Sequence, residues 1–316
     1  MKTAVIYHWW GYKTDAPPIA NLRSPIITSI ATLRGVNANI PIYVIDVSND
    51  KQDWMDYPRH LNFTVIEQPA FLKKNYSHRV GYQNLSRLFD INRVQYDFPE
   101  DVLIYCDSDV FFLKDPLPLH QNSDLFCFNK YNSGFYYYNK QSENCKKFFE
   151  IFEAYALTAL NDESFRYITK QFDDPKDYFV LDETLMYYMY VKHRDLFGVV
   201  DAQEHFITSM AQGGYEYKTE SIKMYHGNGT FVINPYAKSQ YEEKYARGLM
   251  CLGIYELYKN LKRALSVEDI EKMYSELERR NFLAKQVSFN EDFLKKIVAT
   301  KKESGHFYFT EAIGIV

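Results

Sequence analysis

Two carboxylates two positions apart, Asp107 and Asp109, close the run Val102-Leu103-Ile104-Tyr105-Cys106. Such an unbroken apolar run reads as a strand buried on both faces, the kind found inside a parallel sheet. If the chain stays extended past Cys106, residues 107 and 109 point to the same side. Two hard oxygen ligands would then stand together at the carboxyl end of a central strand. Ligands of open α/β sheets gather at that edge, and a divalent cation holding a diphosphate needs such a pair. The spacing alone is unspecific, because Asp-x-Asp arises roughly once by chance in a chain of this size.

Three further groups could carry chemistry. Asn132-Ser133-Gly134 enters the apolar run Phe135-Tyr136-Tyr137-Tyr138, and offers an amide, a hydroxyl and open backbone to a ligand. Asp182 and Glu183 stand at the start of a helical pattern, where acids often serve only as caps and dipole partners. His226 lies in the Gly-rich stretch His226-Gly227-Asn228-Gly229 and could ligate a cation. Taken singly, the first reads as a turn before a strand and the last as a polar loop residue.

The elements that must position these groups alternate along the chain. A strand at Ala4 to Tyr7 opens into an aromatic loop, His8-Trp9-Trp10-Gly11-Tyr12, and a helix follows at Ser24 to Leu33 with Ser24 as its cap. Strands are expected at Ile40 to Val47 and Asn62 to Ile66. A helix at Tyr82 to Val94 presents apolar residues at 85, 88, 89 and 91 and leads into the 102–109 strand. Short strands at Phe126 to Phe128 and Gly134 to Tyr138, a helix at Glu143 to Leu160, a polar turn at 173–177 and a helix at Asp182 to Lys192 complete the pattern. The order implies an α/β fold with a mostly parallel sheet and helical crossovers. From Tyr241 the character changes to long charged helices, one opened by a capping box at 266–269. The expected organisation is a nucleotide-binding catalytic domain over 1–240 and a packed C-terminal helical subdomain over 241–316.

Bulk composition excludes some classes. At 316 residues with a net charge of −4, the chain has no global basic field, so nucleic acid is not favoured as a partner. Four cysteines without paired spacing give neither a disulfide framework nor a zinc pattern. Neither a signal peptide nor a spanning helix is expected, which makes the cytoplasm the expected location. The 28 Tyr and 23 Phe suit either clefts that stack on flat or sugar-like ligands or large aromatic cores. Basic clusters at 73–74, 259–263 and 295–302 read as solvated helix faces, or as peripheral contacts to an anionic membrane.

In this order and spacing the groups resemble a GT-A-fold, metal-dependent glycosyltransferase. The layout is most similar to glycosyltransferase family 8, the glycogenin-like and lipopolysaccharide galactosyltransferase-like group. Ser86-Arg87-Leu88 stands where that family has an Arg-bearing helix, and Tyr105-Cys106-Asp107-Ser108-Asp109 matches its Tyr-x-Asp-x-Asp strand. Asn132-Ser133-Gly134, Asp182-Glu183 and His226-Gly227-Asn228-Gly229 follow in the family's order, and the likeness covers roughly residues 1–235. Two departures stand out. The family's Gln is Glu183 here, which is similar to the Asp-Glu pair of the blood-group-transferase-like family 6, and the Lys-Pro-Trp after His-x-x-Gly is missing.

The resemblance implies a nucleotide-diphosphate sugar donor, UDP-linked, and transfer to an acceptor hydroxyl with retention. Asp107, Asp109 and His226 would hold Mn²⁺ or Mg²⁺. Tyr7, His8 and Trp9 would meet the base and ribose, with Arg87, Ser108 and Gly229 at the rest of the donor. Asn132, Ser133, Gly134 and Asp182 would read the sugar, and Glu183, with Asp182, would carry the catalytic carboxylate. Other readings are an inverting transferase with Glu183 as base, a transferase acting on nucleic acid, a sugar-phosphate nucleotidyltransferase, and a non-catalytic nucleotide-sugar-binding protein. The acceptor is open: a glycan, a lipid-linked saccharide, a protein, a small metabolite or a modified base.

Overall fold

The computed structural model describes residues 1–9, 24–48, 59–72, 80–108, 110–119, 122–129, 132–162, 181–200, 206–208, 223–226, 263, 264 and 266. The turn at 173–177, Asp109, Gly229 and nearly all of the C-terminal tail lie outside the described residues.

The chain opens with strand β1 (Thr3–Trp9), helix α1 (Ser24–Val36), strand β2 (Ile42–Asp46) and strand β3 (Thr64–Glu67). Helix α2 (Val80–Val94) then leads to β4 (Val102–Cys106), β5 (Val110–Phe112), β6 (Phe126–Asn129) and β7 (Asn132–Asn139). Helices α3 (Glu143–Asn161) and α4 (Leu181–Lys192) precede β8 (Phe197–Val199), β9 (Phe206–Thr208) and β10 (Met224–His226). One sheet runs β3-β2-β1-β4-β7-β6-β8, and a smaller one runs β5-β10-β9. Strands β1, β2, β3 and β4 pair in parallel, while β7 is antiparallel to both β4 and β6. The expected mostly parallel α/β sheet is present.

Strand alternation divides the core into two layers. Val5, Tyr7 and Trp9 of β1, Ile104 and Cys106 of β4, and Phe135 and Tyr137 of β7 pack on the α1 side with Ile26, Ile27 and Ile30. Ala4 and Ile6, Leu103 and Tyr105, and Tyr136 and Tyr138 face α2, α3 and α4. The heart of this second layer is aromatic: the Phe126 ring stacks on Phe148 with centroids 3.7 Å apart and meets Phe197 and Phe149 edge-on. Among the described residues, the aromatic richness therefore goes largely into core packing. Two buried phenols are hydrogen-bonded, Tyr7 to Ser29 at 2.7 Å and Tyr138 to Gln95 at 2.8 Å, whereas the Tyr136 hydroxyl is buried without a partner.

Two local readings change. β1 continues through His8 and Trp9, because β2 offers register partners as far as Asp46 opposite Trp9. β4 stops at Cys106, and the Val110 amide donates to the Asp107 carbonyl at 3.1 Å, so the chain turns there. Strand alternation therefore no longer places residues 107 and 109 on one side. In the tail, Ala264 packs against the α1-side core, and His60 Nε2 donates to its carbonyl at 2.5 Å.

The buried Phe126 and exposed Leu157 define a direct contrast. Phe126→Ala is expected to cost about 3–5 kcal/mol, whereas Leu157→Ala, 44% exposed, stays within about 0.5 kcal/mol. Urea unfolding midpoints measure both.

Candidate functional site

The order β2-β1-β4 places a topological switch point between β1 and β4. The helix after β1 covers one face of the sheet and the helix before β4 covers the other. Crevices at the carboxyl edge of such a switch point are the usual ligand sites of α/β sheets. Trp9 ends β1 at this edge, and Asp107 follows β4. The antiparallel β7 brings its first residues there too, and the Asp107 amide donates to the Gly134 carbonyl at 2.8 Å. The first turn of α4 supplies Asp182 and Glu183.

At the centre lies Arg87 of α2, only 4% exposed. Burying a guanidinium is costly unless its donors are satisfied. Nη1 donates to the Tyr105 hydroxyl at 2.9 Å and to Asp107 Oδ1 at 2.5 Å. Nη2 donates to Ser133 Oγ at 2.8 Å and to Asp182 Oδ2. The Tyr105 hydroxyl in turn donates to the same Asp107 oxygen at 2.5 Å. Burial works against the Arg87 charge, but Asp182, Tyr105 and Asp107 more than offset it and the guanidinium stays protonated. Burial likewise holds the Tyr105 phenol well above its ordinary range, so it remains a donor.

Two carboxylates in one helical turn thus have different environments. Asp182 is fully buried on Arg87, and its Oδ1 is also buried without a hydrogen-bond partner. Glu183 turns the other way, and its Oε1 accepts from the Ser133 amide at 2.9 Å and the Ser133 hydroxyl at 3.3 Å. Burial, then Asp182, pushes the Glu183 carboxyl up to about 7, against the lowering effect of the Ser133 amide and Arg87.

Asp107 is the more open member, with its side chain 26% exposed. Its Oδ2 lies 3.7 Å from Nε2 of the buried His226, which β10 carries opposite Val110 of β5. Cation–ligand bonds of about 2.0–2.2 Å allow one ion to bridge an oxygen and a nitrogen at that separation. Among the described residues no group of three or more His, Cys, Asp or Glu side chains forms a metal site. Asp107 and His226 are a pair of donors, and Asp109 lies outside the described residues.

Arg87, Asp107, Ser133, Asp182 and Glu183 are brought together, with His226 beside them. Ser108 sits half-exposed in the turn after β4, and Asn132 starts β7. The aromatic end of β1 is corrected. Tyr7 is fully buried with its hydroxyl on Ser29, and Trp9 is 5% exposed, so neither ring is left to stack on a base. His8 donates through Nε2 to Asp90 Oδ2, 3.0 Å away in the interior. Asp182, expected to read sugar hydroxyls, is fully buried with Oδ2 on Arg87.

Sequence reading missed Tyr105 and Asp90 as members of these networks. Asp90 joins His8, the Ser86 hydroxyl at 3.0 Å and the Phe71 amide at 2.7 Å, which ties β1, α2 and the segment after β3 together. A signal existed: Ser86, Arg87 and Asp90 are polar positions interleaved with the apolar Leu85, Leu88, Phe89 and Ile91.

No protein-family model matches the chain, and no curated protein matches it in sequence. Solved structures do match in fold. The glycosyltransferase GlyE of Streptococcus pneumoniae TIGR4 superposes with a TM-score of 0.50 at 14% identity, over 90% of this chain and 66% of that one. The chain thus spans about two thirds of the length of GlyE. The galactosyltransferase LgtC, in complex with donor and acceptor sugar analogs, superposes with a TM-score of 0.50 at 12% identity, over 85% of this chain and 99% of that one. The chain has the GT-A glycosyltransferase fold.

The raised Glu183 carboxyl gives a stability signature. Its penalty is absent below the ordinary carboxylate value of 4.5, grows as pH rises, and is complete above about 7. Solvent reaches part of the side chain, so Glu183→Gln is expected to gain about 1–3 kcal/mol at pH 8 and almost nothing at pH 4.5. Thermal melts of metal-free protein across that range measure it, and a gain independent of pH contradicts it.

Proposed function

We propose that this chain is a glycosyltransferase that moves a sugar from a nucleotide-diphosphate donor, UDP-linked, to an acceptor hydroxyl, with retention of configuration. The single observation that carries this reading is the Arg87 cluster. At the ligand edge of a GT-A sheet it fixes one half-exposed carboxylate, Asp107, beside an imidazole, and a second, Glu183, beside Ser133.

Asp107 and His226, with Asp109, would hold Mn²⁺ or Mg²⁺, a mixed oxygen and nitrogen set that suits Mn²⁺. When bound, the cation supplies positive charge against the departing diphosphate. The protein's own residues do the rest. Arg87 and Tyr105 engage Asp107 Oδ1, which fixes the carboxylate plane with Oδ2 turned toward His226. Asp182 fixes the guanidinium from the opposite side and balances its charge. Ser133 grips one oxygen of Glu183, so the carboxylate faces the sugar in a set orientation. Glycosyl transfer passes through an oxocarbenium-like state, and an ionised Glu183 near the anomeric carbon stabilises it.

One observation favours a second reading. A carboxyl poised at about 7 suits a general base that takes the proton of an acceptor hydroxyl, which is the inverting course. The anomeric configuration of the product separates the two.

A panel of UDP-, GDP- and TDP-sugars, assayed for donor hydrolysis with Mn²⁺ and with chelator, tests the proposal. Metal-dependent turnover of a UDP-sugar is expected, reduced about 10²–10³-fold in Asp107→Asn and in Glu183→Gln. No turnover with a nucleotide-induced thermal shift supports the non-catalytic binding reading, and the absence of both turnover and shift contradicts a nucleotide-sugar donor altogether.

A further inference from the structure

The Asp107–His226 pair is assembled from two sheets. Asp107 follows β4 of the large sheet, and His226 belongs to β10 of the small one. Nothing in β-ladder pairing joins these two strands directly. The link is Val110. Its amide donates to the Asp107 carbonyl at 3.1 Å, and it is the register partner of His226 across β5 and β10. The placement of the Val110 backbone therefore bears on both side chains.

That residue is held from α1. The Ser29 hydroxyl donates to the Val110 carbonyl, and both Ser29 and Val110 are fully buried. A serine hydroxyl has one proton, so the Tyr7 phenol, 2.7 Å from Ser29 Oγ, is the donor in that second bond. The result is a directed relay from β1 through α1 to β5. A turn later on the same helix Thr32 repeats the device. Its hydroxyl accepts from the Phe112 amide at 3.1 Å and donates to the Ser29 carbonyl at 2.7 Å. Polar residues on the buried face of α1 need a reason, since an apolar residue would pack there without a desolvation cost. The bonds to β5 supply one.

We propose that Ser29, oriented by Tyr7, is a positioning residue for the cation site: its hydroxyl fixes the Val110 backbone and thereby the spacing of Asp107 and His226. The inference rests on the reading of those two residues as cation ligands. Ser29 touches neither the cation nor the donor and acts through Val110 alone. Groups that orient metal ligands from behind typically govern affinity by about 10–100-fold.

The test is Mn²⁺ affinity with UDP present, read by electron paramagnetic resonance of the free ion, which does not depend on turnover. Ser29→Ala is expected to weaken Mn²⁺ binding about tenfold or more, and Tyr7→Phe by about threefold. Ile30→Val, which trims the next buried position of the same helix and removes no hydroxyl, is expected to bind like wild type. Tyr7→Phe keeps the buried ring and decides the matter if Ser29→Ala fails to fold. Wild-type affinity in both variants, or equal weakening by Ile30→Val, overturns the positioning role. Asp107→Asn separates the two levels: if it binds Mn²⁺ as wild type does, or if wild type binds none, the cation reading itself fails.

Discussion

A single buried guanidinium sets the geometry on which the candidate site depends. Arg87 faces acceptors from three elements: Tyr105 and Asp107 from β4 and its following turn, Ser133 from β7, and Asp182 from α4. A planar fork of donors meets this demand in a way an ammonium does not. The arrangement is costly to disturb. Asp182 is fully buried, so loss of Arg87 leaves a charge with no compensation. The same interaction fixes Asp107 at the mouth of the site and places Glu183, the next residue, against Ser133. Folding stability and site geometry are thus one constraint.

The site lies where the two halves of the core meet. The α2 side contributes the charged cluster, and the α1 side contributes the hydroxyl relay that reaches β5 and, through it, His226. Between them runs the turn after Cys106. That turn explains why a strand as buried as β4 ends in a half-exposed carboxylate: the Val110 amide closes back on Asp107, and the chain leaves the large sheet for the small one.

Much of this was legible in the sequence, and the exceptions have physical causes. The apolar run 102–106 announced β4, and the periodicity of Leu85, Leu88, Phe89 and Ile91 announced α2. The family resemblance, and not any local pattern, brought Arg87, Asp107, Ser133 and Glu183 into one neighbourhood. Side-chain roles were less readable, because they depend on partners far along the chain. Asp182 and Glu183 are adjacent acids with opposite fates, one enclosed by an arginine 95 positions away and the other turned to a serine 50 positions away. Tyr7 and Trp9 looked available at a strand end, but β1 extends further than its local pattern suggested, and alternation turns both rings into the α1-side core. The abundance of tyrosine was equally ambiguous, since a phenol serves a buried core as well as a cleft once its hydroxyl finds a partner.

The most direct measurement is a double-mutant cycle between Arg87 and Asp182, with Arg87→Met, Asp182→Leu and the double variant compared by urea unfolding. If the guanidinium holds the cluster together, each single change costs about 3–5 kcal/mol, and the double variant recovers at least about 2 kcal/mol of the summed loss. Losses that add to within about 0.5 kcal/mol would show that Arg87 and Asp182 do not act as a unit, and the organising role of Arg87 would fall with them.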